Sequence, residues 1–374
     1  MKGLVIWSQS DCRSVMGLYR AIGKELGVPM RVALWFYPKD EKYVTNRDAV
    51  GFPRGEFCDV DTIRVGEDYA KGKEVLNSHE GWNHYFTVYQ GSPVWRRLIV
   101  EAKKRGERVA VGCESPCVME NGIRGMARRI FTKYVLPRRV SKVTDAAEFF
   151  VNYSGDDLHP AVSIGWNKEK IIPFGYFPPP LPMSKKFKRV GNSPFHVFSS
   201  GVLTWHRGAD VLVEALRILS ERGVKYRATI TQRGDLYERL RQKSAMHNLP
   251  IDFPGFVQMK DLINLYETCS VFVGAGRSEP WGMRLNDALQ CGAPLVVSTG
   301  MGGVKLVKDY GCGLSFENGN AHKLADALQT LATDAKRYEQ IAANAEIAAS
   351  KISPENMAKE FCRLVSAKNA TWLA

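Results

Sequence analysis

Gly276-Arg277-Ser278-Glu279-Pro280-Trp281-Gly282-Met283-Arg284-Leu285-Asn286-Asp287-Ala288-Leu289-Gln290-Cys291-Gly292-Ala293-Pro294-Leu295-Val296-Val297 is the most informative stretch of the chain. A short apolar run at 271–274 leads into it, and a β-branched run at 294–298 leaves it. Between them a loop with Glu279, Pro280 and Gly282 gives way to a helical pattern that begins near Met283 and stops at Gly292. Strand, helix and strand joined this closely form a parallel unit. Ligands of open α/β sheets bind at the carboxyl ends of the strands. The amides of a helix start favour an anion, so a phosphate is expected near Gly282, Met283 and Arg284. Glu279 on the loop and Asp287 about a turn into the helix are expected to face one elongated ligand; for Asp287 the alternative is an ordinary first-turn acid.

The same alternation runs outward in both directions. In the first half, strand patterns fall at 3–7, 31–36, 62–65, 85–89, 108–113 and 148–152, with a helical pattern at 15–26. In the second half, strands are expected at 195–199, 227–231, 271–274 and 294–298, and helices at 209–221, 236–246, 260–269 and 321–331. Residues 177–189 are Pro-rich and then basic, which suits neither a helix nor a central strand, and they read as a linker. The expected class is α/β: two Rossmann-like, doubly wound domains facing each other across a cleft. They would comprise residues 1–180 and 190–352, with a C-terminal helix in 353–374 packing back on the first.

Composition narrows the classes further. With 374 residues, 45% hydrophobic and 24% charged, the chain is neither disordered, collagen-like nor coiled-coil. No run approaches the ~20 apolar residues of a membrane-spanning helix, and the first residues lack a signal peptide's apolar run, so a cytoplasmic protein is expected. Eight cysteines are too scattered for a disulfide framework. Cys113 and Cys117 have no second pair or nearby His, so no metal is expected. The net charge of +13 is uneven: residues 1–189 carry 31 Lys and Arg against 21 Asp and Glu, and residues 190–374 carry 21 against 18. Such a basic half attracts anionic lipid, phosphorylated substrates or nucleic acid, or simply keeps the chain soluble. A non-catalytic nucleic-acid-binding protein is the rival reading, but no zinc-finger, RNA-recognition or basic-zipper pattern accompanies the charge.

From Glu279-Pro280-Trp281-Gly282 through Asp287-Ala288 to Gly292-Ala293-Pro294-Leu295-Val296, the sequence resembles the retaining GT-B glycosyltransferases of family 4, the glycosyl transferases group 1 type. Gly255-Phe256-Val257 upstream and Gly302-Gly303-Val304 and Gly311-Cys312-Gly313-Leu314 downstream extend the likeness over roughly residues 195–330. The resemblance implies transfer of a sugar, with retention of configuration, from a nucleotide diphosphate sugar to a glycan or glycolipid. No metal or other cofactor is implied. A nucleotide-sugar epimerase or phosphorylase of the same architecture is the alternative, distinguished by whether an acceptor is needed. The resemblance assigns Glu279 to the donor sugar's hydroxyls and Asp287, shorter than the family's usual Glu, to the ribose, with Trp281, Gly282 and Met283 beside the donor. The family's phosphate pattern G-R-L-x-x-x-K-G falls on Gly201-Val202-Leu203-Thr204-Trp205-His206-Arg207-Gly208. Arg207 then takes the Lys position and suits a diphosphate, which guanidinium binds bidentately. Val202 takes the Arg position and holds no phosphate, which leaves Arg233 either compensating or an exposed loop residue.

In the first half, Ser10 and Arg13 stand where the family has a Gly-rich loop toward the acceptor. Glu114 stands where many members have a His near the reacting centre, and is either a catalytic carboxylate or a loop acid. Residues 125–134 read as an amphipathic helix; Arg124, Arg128, Arg129 and Lys133 on it, with Arg138 and Arg139 behind it, would suit an anionic membrane surface or a lipid-linked acceptor. The alternative is an ordinary helix with a solvated face.

Overall fold

The computed structural model describes residues 1–9, 11–35, 60–87, 89–120, 122–181 and 194–373. Ser10 and most of the linker stretch lie outside the described residues, as does the side chain of Arg13. The chain divides into two units, one of Met1–Val118, Gly122–Pro179 and Pro354–Ala374, the other of Met119–Asn121 and Pro180–Ser353.

In the first unit, seven strands lie parallel: β1 (Leu4–Ser8), β2 (Met30–Leu34), β3 (Thr62–Arg64), β4 (Asn83–Phe86), β5 (Arg108–Cys113), β6 (Phe150–Asn152) and β7 (Ile171–Pro173). Their order is β3-β2-β1-β4-β5-β6-β7. The central strands are buried on both faces, as parallel strands under helical layers must be, and read as continuous apolar runs such as Leu4-Val5-Ile6-Trp7. The second unit has β8 (Phe195–Ser200), β9 (Tyr226–Thr231), β10 (Ile251–Gly255), β11 (Val271–Gly274), β12 (Leu295–Ser298) and β13 (Gly313–Phe316), also parallel, in the order β10-β9-β8-β11-β12-β13. Both orders reverse once, at β1/β4 and at β8/β11.

The differences from the sequence reading have local causes. β4 begins at Asn83, where 85–89 was expected, because its first two residues are polar and yet buried. Asn83 donates to the carbonyl of Trp372 from the far end of the chain, and His84 Nδ1 accepts from Trp7 Nε1 at 3.1 Å. β7, β10 and β13 are edge or near-edge strands too short or too polar to stand out. The helix expected at 125–134 begins earlier, at Gly122, and passes at Phe131–Val135 into a π-turn before the helix Leu136–Ala146. The last long helix, Pro354–Asn369, packs along Arg13–Leu26. Phe361 on it meets Tyr85 and Phe174 edge-on, each at 5.7 Å.

Burial pushes the imidazole of His84 from 6.5 down to about 3, helped by the charges of His79 and Arg105. Between those values the unfolded chain takes up a proton that the folded chain refuses. This contribution to stability is therefore complete above about pH 6.5 and is lost as pH falls toward about 3. Protonation at Nδ1 would also set two donors, imidazolium and indole, against each other. Thermal melts of wild type and His84→Gln between about pH 7 and about pH 4 should show a smaller loss of Tm in the variant; parallel slopes would remove His84 from the acid sensitivity.

Candidate active site

The second unit holds a pocket of about 470 Å³, open mouth included, at the carboxyl ends of β8 and β11. This is where the strand order reverses: the crossovers leave toward opposite faces, and a crevice stays unfilled between them. Its walls are Ser199, Ser200 and Gly201 from β8 and its loop, and Val273 to Gly276 from β11; Phe272, Leu285 and Met301 give it an apolar lining.

From Gly201 the chain makes a 3₁₀ turn, Trp205–Arg207, and enters the helix Ala209–Glu221 through Gly208 in the left-handed region at φ 68°. A Cβ at Gly208 would stand 1.9 Å from the carbonyl oxygen of Ala275, so only glycine lets this loop lie against β11. Arg277 fastens the two together. Its guanidinium grips Asp210 through two bonds of 2.7 and 2.8 Å, donates to the Trp205 carbonyl at 2.8 Å and lies 5.2 Å from the Trp205 ring centre. The backbone N–H of Arg277 donates to His206 O at 2.8 Å.

This clasp brings Arg207 to Glu279, 72 positions on, and the two form an ion pair with side chains 31% and 12% exposed. The backbone of Glu279 is pinned to the next loop, donating to Gly300 O at 3.2 Å and accepting from Gly302 N at 3.1 Å. Bare backbone at Gly276 and Gly282 leaves room for its carboxylate, since Cβ atoms there would lie 3.3 Å from Oε2 and 3.6 Å from Cδ. His206 beside them is held below its ordinary pKa, chiefly by burial and then by the Arg207 charge.

Of the donor-site residues read from the sequence, Gly201, Arg207, Glu279 and Gly282 line this pocket, and Arg233, Trp281, Met283 and Asp287 do not. Arg233 lies 5.1 Å from the Tyr237 ring centre. Trp281 is 1% exposed, and its indole N–H donates to Asn286 Oδ1 at 2.7 Å, so it braces the turn from within. Asp287 is half-buried in the short helix Arg284–Gln290, where its charge, after burial, holds the Tyr266 hydroxyl well above its usual range. The amides of Leu285, Asn286 and Asp287 donate back to Gly282 and Met283 within the turn. What this end of the helix presents to the pocket is the side chain of Arg284, where the sequence reading had counted only the amides of the helix start. The signal available for it was the vacancy at Val202 beside a loop motif ending in Arg.

In the first unit, Glu114 is exposed just past β5, and its carbonyl accepts from Gln90 Nε2 at 3.1 Å. Ser115 after it is held by Ser154 and Asn152, each at 2.9 Å. Arg124, Arg128, Arg129, Lys133, Arg138 and Arg139 are all exposed. Among the described residues, no group of three potential metal ligands stands together.

The family model described as "Glycosyl transferases group 1" matches residues 183–347. The match covers under half of the chain and falls within the second unit. The likeness extends to curated proteins. The GDP-mannose-dependent alpha-(1-6)-phosphatidylinositol dimannoside mannosyltransferase of Mycobacterium tuberculosis is 35% identical over 99 residues, 26% of this chain and 26% of that one. The amylovoran biosynthesis glycosyltransferase AmsK of Erwinia amylovora is 26% identical over 181 residues, 46% of this chain and 44% of that one. The chain thus spans about a quarter to under a half of the length of these relatives. Solved structures match over nearly the whole chain. Anabaena Alr3699/HepE in complex with UDP-glucose has a TM-score of 0.65 at 15% identity, covering 98% of this chain and 99% of that one. The lipopolysaccharide outer core galactosyltransferase WaaB has a TM-score of 0.65 at 11% identity, covering 98% and 100%. The fold is the GT-B fold, two parallel sheets each with one reversal of strand order, and the group 1 match falls in its second unit.

Removing the clasp tests whether it holds the site together. Arg277→Ala deletes a bidentate ion pair and a bond to a carbonyl, and should lower stability by about 2–3 kcal/mol in urea unfolding. A loss below about 0.5 kcal/mol would show that the loops hold each other without it.

Proposed function

We propose that the protein is a retaining glycosyltransferase that moves a hexose from a nucleoside diphosphate sugar to a glycan or glycolipid hydroxyl. The observation that carries this reading is the pocket at the β8/β11 reversal, where a carboxylate, Glu279, is held against a guanidinium, Arg207, within the group 1 match. The guanidinium neutralises the charge that builds on the leaving diphosphate, and the carboxylate accepts hydrogen bonds from the sugar's hydroxyls and fixes the anomeric carbon. Charge on the leaving group is met by side chains in this scheme, and no metal is invoked. Retention rests on the family resemblance. Relatives named for GDP-mannose and a structural neighbour bound to UDP-glucose support a sugar nucleotide as donor and leave the base to experiment. Glu114, exposed just past β5, is proposed as a second catalytic carboxylate, with Ser10 and Arg13 on the acceptor side as the sequence reading has them.

We also propose that the protein works at an anionic membrane surface. In the helix Gly122–Ile130 only Gly125 is buried. Ile123 (82% exposed), Met126 (56%), Ile130 (54%) and Tyr134 (53%) follow one another at helical spacing and face solvent. Arg124, Arg128, Arg129 and Lys133 flank this stripe, and Arg128 and Arg139 cover the Phe131 ring at 5.7 and 5.2 Å. Apolar insertion between basic residues is how an interfacial helix binds lipid. No helix among the described residues is long and apolar enough to cross a membrane. A relative that acts on a phosphatidylinositol dimannoside supports a lipid-linked acceptor.

With UDP- and GDP-hexoses and a lipid-linked acceptor, Glu279→Ala should abolish transfer while the melting curve stays close to wild type; undiminished turnover would sink the assignment. NMR of the product should show the donor's anomeric configuration, and inversion would contradict the mechanism. Glu114→Gln should slow transfer at least about tenfold if the carboxylate acts as a base; a rate within a few fold of wild type would remove it from the chemistry. For the membrane, flotation with anionic vesicles should weaken as salt rises. Ile123→Asp with Ile130→Asp should abolish it, and equal flotation with neutral vesicles would contradict the electrostatic part.

A further inference from the structure

We infer that Arg284 is the second cation of the diphosphate site, replacing from another loop the arginine that Val202 does not supply. The inference rests on the donor reading above and deepens it. Val202 is apolar, 45% exposed and part of the pocket wall, so its own loop offers one guanidinium, Arg207. That guanidinium is already engaged by the Glu279 carboxylate, and the pair together carries no net charge. Among the described residues that line the pocket, the charged ones are Arg207, Glu279 and Arg284. The net positive charge of the pocket is therefore that of Arg284. A diphosphate leaving with additional negative charge needs such a surplus, and in a partly buried pocket an unmatched anion is costly.

Geometry places it correctly. A Cβ on Gly201 would stand 3.4 Å from Arg284 Nη1 and 3.7 Å from Arg207 Cδ, so the two arginines converge on the same bare backbone at the end of β8. Arg284 is also well anchored from below. It opens the helix Arg284–Gln290, whose neighbours Leu285 and Trp281 are 0% and 1% exposed, and whose entry is tied by the Trp281–Asn286 bond. Neither other candidate fits: Arg233 lies on Tyr237 outside the pocket wall, and burial keeps His206 from supplying a positive charge at neutral pH.

The test is calorimetric titration of the full chain with UDP and GDP, each against its nucleoside, uridine or guanosine. Wild type should prefer one diphosphate over its nucleoside. Arg284→Ala should weaken that diphosphate about tenfold or more and leave the nucleoside within about twofold. Val202→Arg added to Arg284→Ala should restore most of the loss, because it returns a guanidinium to the same space from the β8 side. Melting curves without ligand check the fold, and Arg284→Gln serves where the alanine variant is unstable. If Arg284→Ala binds the diphosphate like wild type while Arg207→Ala does not, the inference falls and the donor reading stands. If wild type shows no preference for a diphosphate over its nucleoside, the donor reading falls and takes this inference with it.

Discussion

Everything in the second unit depends on the point where its strand order turns back, between β8 and β11. Right-handed crossovers force the helices that follow these two strands onto opposite faces of the sheet, and no element then covers the strands' carboxyl ends. The gap there is narrowed because Gly208, having no side chain, lies against Ala275, and because Arg277 ties β11's loop to Asp210 and Trp205. Two segments 72 residues apart are thereby brought to hydrogen-bonding contact at Arg207 and Glu279.

The charges at that point are unevenly distributed. Glu279, 12% exposed, is held by backbone bonds to the Gly300–Gly302 turn. Arg207 balances it, and Arg284 adds a charge that nothing else lining the pocket offsets among the described residues. A site that is neutral on one side and positive on the other is suited to a polar sugar joined to an anionic leaving group. Glycines at 201, 276 and 282 let these long side chains approach the backbone without obstruction.

The first unit uses the same topology with a different filling. Polar groups penetrate its sheet at Asn83 and His84, and each is matched by a partner distant in sequence, the Trp372 carbonyl and the Trp7 indole. On the helix beginning at Gly122, Ile123, Met126 and Ile130 stay outside the core among arginines.

The α/β class was legible in the sequence because parallel strands buried on both faces are continuous apolar runs separated by amphipathic helices, a pattern carried by near neighbours alone. Glu279, Arg207, Gly201 and Gly282 were legible for a related reason: each sits in a local motif where a strand ends and a helix begins. Strand β4 was misplaced because Asn83 and His84 are acceptable in a core only once Trp372 and Trp7 are beside them. Arg233, Trp281, Met283 and Asp287, close in sequence to residues that line the pocket, do not line it themselves. Which way each side chain points was decided by partners elsewhere, Tyr237 for Arg233 and Asn286 for Trp281. For Arg284 the sequence reading counted the helix-start amide and not the side chain, whose neighbour Gly201 is more than eighty positions away. The sequence by itself determined the central strands and the α/β class, because short-range periodicity and backbone sterics set them. Only the tertiary structure decided how the charges balance, because that balance is a sum over groups brought together by the closing of a parallel sheet.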